Sequence, residues 1–169
     1  MIAMFMSILI ALALGASPAQ TGTLTFTKPA AWKDRAPASS MRVAEFVVPK
    51  APGDSEDGEV IVYYFGGGGG RVEANLQRWT SQFKSTKGPV RTTATVNGLK
   101  LTSLDVSGTY VADMRPGASE HYNKPGFRMR ATVVETPKGP YFIKLTGPAK
   151  AVASAGAAFD QFLKSLAFK

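Results

Sequence analysis

The segment EVIVYYFGGGGGRVEANLQRW, residues 59 to 79, passes from β-branched and aromatic residues through five glycines into a helical pattern. Residues 59 to 65 are apolar at both parities, with Val60 and Val62 on one side and Ile61, Tyr63 and Phe65 on the other. A strand built this way needs cover on both faces, so it predicts the centre of a sheet. Beyond the glycines, Val72, Leu76, Trp79 and Phe83 follow at spacings of four, three and four. That is one apolar stripe at a 3.6-residue period, which predicts a helix over residues 71 to 84. Glu73 in its first turn and Lys84 in its last suit the helix dipole, and Gly88-Pro89 stops it.

Strand, glycine run and helix is also the order in which many proteins cradle phosphate. The chemistry is absent here. A phosphate-binding loop needs Gly-Lys-Ser/Thr at its end, because lysine and hydroxyl hold phosphate and magnesium; this run ends Gly70-Arg71-Val72. The dinucleotide fingerprint needs glycine at its first, third and sixth positions, and the sixth position counted from Gly66 is Arg71. Gly66, Gly67, Gly68, Gly69 and Gly70 therefore predict a permissive, mobile joint. The only ligand it suggests is an anion at the free amides of the helix start, near Arg71.

Working outward, TLTF (23 to 26) and MRVAEFVVP (41 to 49) read as strands, with Pro29 and Pro37 enforcing an irregular connection between them. RTTATVNGLKLTSLDVSGTYVAD reads as a hairpin turning at Asn97-Gly98. Its second arm changes apolar parity between Leu101 and Leu104, which predicts a bulge near Thr102-Ser103. FRMRATVVE and YFIKLTG are two further strands. Val152, Phe159, Phe162, Leu163 and Leu166 then mark a closing helix opened by Pro148. The order is three strands, helix, four strands, helix, dominated by hairpins. It predicts an α+β fold: an α/β/α sandwich around a largely antiparallel sheet of about six to seven strands, with two main helices.

The segments TFTKPAAW, MRVAEFVVP with VIVYYF, ANLQRW, YFIKLTGP and FDQFLKSLAF, taken in this order, resemble the PsbP-like superfamily. That group includes the photosystem II extrinsic subunit, a Ran-binding import factor and bacterial envelope proteins of the DcrB type. The resemblance spans most of residues 22 to 169. It implies the same sandwich and a non-enzymatic role in binding proteins or stabilising assemblies, and it carries over no functional residue. The chain departs from the DcrB-type lipoproteins in having no cysteine to lipidate.

With 169 residues, 44% of them hydrophobic, the chain can bury one core. Residues 1 to 19 contain no Lys, Arg, Asp or Glu and run apolar from Ile2 to Leu14. This pattern predicts a signal peptide cleaved before Gln20, leaving residues 20 to 169 as one exported periplasmic or extracellular domain with no stable membrane span. The absence of Cys excludes disulfides, thiol nucleophiles and Cys-ligated zinc.

The net charge of +8 lies wholly outside the signal segment and favours anionic partners: a protein or an anionic envelope component. Nucleic acid is disfavoured, because the cations are not interleaved with stacking aromatics. Arg128 and Arg130 alternate with Phe127, Met129 and Ala131, and Lys144 alternates with Ile143 and Leu145. If the two strands pair suitably, the three cations form a basic patch. His121 is the only histidine, which excludes a multi-histidine metal site. No catalytic constellation, metal site or cofactor motif is apparent. The alternative function is a small hydrolase or ligand-modifying enzyme using His121 with a nearby carboxylate.

Overall fold

The structure, a computed structural model, describes residues 22–169; the expected signal segment and its cleavage point fall outside the described residues. Ten strands and three helices follow in the order β1 (Leu24–Thr25), β2 (Lys33–Arg35), β3 (Arg42–Val48), β4 (Gly58–Tyr64), α1 (Val72–Ser81), β5 (Phe83–Lys84), β6 (Val90–Val96), β7 (Leu99–Tyr110), β8 (Lys124–Glu135), β9 (Tyr141–Pro148), α2 (Ala149–Ser154), α3 (Gly156–Lys164) and β10 (Ala167–Phe168). Eight strands form one sheet in the order β2-β3-β4-β9-β8-β7-β5, with β6 also on β7. Every pairing in it is antiparallel. The fold is α+β, an α/β/α sandwich as expected.

The doubly apolar β4 lies inside the sheet between β3 and β9, with Val60, Ile61 and Val62 all buried. One face of the sheet packs on α2 and α3: Val60, Val62, Ile143 and Leu145 meet Val152, Phe159 and Phe162 in one core. The opposite face packs on α1, where Leu76 and Trp79 meet Leu104, Val106, Met129 and Phe142 in a second core. β1 and β10 form a separate two-stranded pair that ties the beginning of the described chain to its end.

Several local expectations are revised by the packing. No bulge interrupts β7 at Thr102-Ser103, where the pairing with β8 runs in regular register. The parity change arises because the two cores lie on opposite faces of the sheet and meet β7 at different ends. Leu99 and Leu101 join the α2/α3 core, whereas Leu104 and Val106 join the α1 core. The irregularity falls instead between Gly108 and Tyr110, where a Cβ on Gly108 would come within 2.5 Å of the Lys84 carbonyl oxygen of β5.

Helix α1 ends at Ser81, and Phe83 reaches the same core from β5 through its pairing with Tyr110. The closing helix is two helices, α2 and α3, separated at Ala155. The bend lets Val152 and the Phe159–Phe162 pair fill different parts of one core. Short charged β2 has no buried position to give it a periodic signal. It is held as an edge strand by Arg35, whose Nε donates to Glu45 at 2.9 Å.

Candidate functional site

The expected patch is divided by the register of β8 and β9. Residues directly opposite each other share a face. Arg130 faces Leu145 and Arg128 faces Gly147, whereas Lys144 faces Ala131. Lys144 therefore projects from the other side of the sheet. Arg128 binds Asp105 in a two-pronged pair at 2.8 and 2.5 Å. Arg130 lies 5.0 Å from the Phe159 ring centroid and donates to Asp160 at 2.6 Å, which fastens α3 to the sheet. Both arginines have internal partners and serve the fold.

The glycine run is packed at Gly69. There φ is +105°, and a Cβ would lie 2.5 Å from the Phe142 ring. The Gly69 carbonyl accepts from Asn75 Nδ2 at 2.9 Å, and the same amide group also donates to the Arg71 carbonyl at 2.9 Å. Arg71 precedes α1 with an exposed side chain and provides no side-chain cap. Buried Asn75 is the junction: its Oδ1 accepts from Arg78 at 2.6 Å, directing the next turn of the helix.

Lys144 opens into a cleft of about 720 Å³ on the α1 side of the sheet. An α-helix is about 10 Å wide, roughly two strand spacings, so one helix cannot cover a face this broad. Helix α1 covers β7, β8 and part of β9; the surface over β3 and β4 is left open. The segment 111–122 forms the facing wall, and Met41 and Phe65 border the opposite side. Trp79 and Phe142 line the inner apolar wall, and Tyr110 and Tyr122 stack at 5.7 Å beside it.

The charge arrangement is uneven. Arg42 donates to buried Glu45 at 2.8 Å, and Arg35 bridges Glu45 and Glu59, so these four groups balance one another. Arg78 and Lys144 have no carboxylate partner among the described residues; Lys144 Nζ donates only to the Gln82 side-chain oxygen at 3.1 Å. Burial and the nearby Arg78 charge push the Lys144 ammonium down to about 8, against a smaller opposing pull from Glu59. Burial raises the Tyr63 and Tyr110 hydroxyls above their ordinary range, keeping both neutral.

His121 Nδ1 lies 2.9 Å from Asp113 Oδ1 on the cleft wall, where the two residues form an isolated β-bridge. The sequence singled out Lys144 and His121 but missed their common cleft, along with Arg78, Asn75 and the tyrosine wall. Arg78 carries no signal of its own in the helix pattern, and its side chain is exposed at the edge of the cleft. Nothing in a single sequence reveals that the sheet beneath its guanidinium is bare.

No family model matches the chain, and no curated protein matches it. Solved structures do. A protein of unknown function from Pseudomonas aeruginosa is 15% identical, with a TM-score of 0.54 over 85% of this chain and 96% of that one. Cyanobacterial PsbP from Synechocystis sp. PCC 6803 is 12% identical, with a TM-score of 0.50 over 92% of this chain and 99% of its own. Across most of both chains the sandwich is shared, and the fold of this protein is PsbP-like.

Proposed function

We propose that the protein is an exported, non-enzymatic binding or accessory domain that meets a protein or an anionic envelope component through the cleft between α1 and segment 111–122. The observation that carries this reading is the pair Arg78 and Lys144, two cations without a carboxylate partner among the described residues, facing one concave surface. A cation half-removed from water and next to a like charge is costly unless an anion approaches it. The PsbP-like fold agrees with an accessory role without specifying one.

The test is retention on phosphatidylglycerol vesicles and on an immobilised Asp/Glu-rich peptide. Lys144→Met with Arg78→Gln should abolish retention, and Arg128→Gln should leave it intact. Equal retention of the cleft variant and the wild type would remove the cleft from the account. Export is tested by the mature N-terminus, which should be Gln20.

The paired His121 and Asp113 favour a second reading, a hydrolase with an oriented imidazole. His121→Ala would then abolish turnover of an ester or phosphoester panel; on the binding reading there is no turnover to lose.

A further inference from the structure

We infer that the cleft takes a small amphipathic organic anion: one carboxylate or phosphate head carried on a flat apolar body. This inference rests on the cleft being the binding site and adds the chemistry of its occupant. The head is defined by the charge arrangement just described. Arg35 and Arg42 are matched by Glu45 and Glu59, and Arg115 pairs with Glu120 at 3.9 Å, which leaves Arg78 and Lys144 to receive one anionic group. A polyanion can seat only one of its charges here, because Glu59 and Asp113 line the same cleft and would repel the next.

The body is defined by the mouth. Among the described residues the exposed large apolar side chains are Met41, Val43, Phe65, Val90 and Met114, and three of these five, Met41, Phe65 and Met114, border the cleft. An apolar rim on a cleft lined by two cations suits a ligand with both characters, and methionine adapts its shape to what it covers. Phe65 stacks on Tyr63 at 6.0 Å and 9°, presenting a flat aromatic surface to a flat ligand. The volume of about 720 Å³ falls within the range of small-molecule sites, roughly 300 to 1,000 Å³.

Isothermal titration of the wild-type protein with indole-3-acetate and with phenyl phosphate tests this directly and separates carboxylate from phosphate heads. Indole-3-ethanol supplies the body without the charge, and acetate supplies the head without the body. At least one aromatic anion should bind about tenfold or more tightly than either control. Lys144→Met should erase that preference, Phe65→Ala should weaken it, and Arg128→Gln should preserve it. Equal affinity for the neutral alcohol, or an unchanged preference in Lys144→Met, would overturn the inference. Failure of both aromatic anions while vesicles or acidic peptide still bind through Arg78 and Lys144 would overturn it and leave the binding reading standing.

Discussion

Lys144 is a lysine set into the wall of a cleft with a second cation beside it, and its behaviour follows from that placement. Its ammonium has been pushed from the ordinary 10.5 to about 8. Between those two values the unfolded chain holds a proton that the folded chain has released, so stability rises with pH across that window. Lys144→Met should remove that rise and stabilise the protein at pH 7 by about 2 kcal/mol, as read from urea unfolding at pH 7, 8 and 10. Gly69 permits a second comparison. Gly69→Ala would drive a methyl into Phe142 and should cost about 2 to 3 kcal/mol. Gly66→Ala has nothing within 4 Å and only its φ of +63° to resist it, so it should cost about 1 kcal/mol. The composition of the glycine run was legible in the sequence, and so was its lack of phosphate chemistry. Which glycine is packed was not, because Phe142 reaches it from a strand more than seventy residues away. The basic pattern of residues 128, 130 and 144 was equally visible, but a strand register off by one residue decides which face each cation takes.

At the scale of elements, α1 and β4 were readable because each carries its own period, 3.6 for the helix and doubled apolarity for the strand. Strands β2, β5 and β10 were not: they are two or three residues long and exist only through their partners. Edge strand β2 shows how such an element is held. Glu45 is 2% exposed and accepts from Arg35, Arg42 and the Ala38 amide. Burial alone would raise its carboxyl, but these three donors outweigh burial and hold it below the usual 4.5. A depressed carboxyl contributes stability above its unfolded value and loses it as pH falls through the folded one. Glu45→Gln should therefore cost about 2 kcal/mol at pH 7 and flatten the acid limb below pH 4.5, as followed by thermal unfolding. Asn75→Ala should cost about 1 to 3 kcal/mol by leaving the Gly69 and Arg71 carbonyls and the Arg78 guanidinium without their partner. It should also weaken anion binding by freeing Arg78, which a purely structural role for Asn75 would not do.

At the scale of the whole molecule, the sandwich is asymmetric. Helices α2 and α3 together close one face of the sheet, whereas α1 alone shields part of the other. The uncovered part becomes a cleft because segment 111–122 rises beside it, and Lys144 and Arg78 line it. The groups around Lys144 that share this field are Arg78 from α1, Arg42 from β3, Glu59 and Tyr63 from β4, and Tyr110 from β7. Asp113, Arg115, His121 and Tyr122 complete it from the facing wall. Because binding an anion requires the charged lysine, affinity should fall as pH rises through about 8. The most direct measurement is the NMR titration of the Lys144 side-chain Cε and Nζ signals in the free protein and in the presence of indole-3-acetate. A midpoint near 8 that moves upward when the anion is bound is the expected result. A midpoint at the ordinary 10.5, unmoved by the anion, would contradict it.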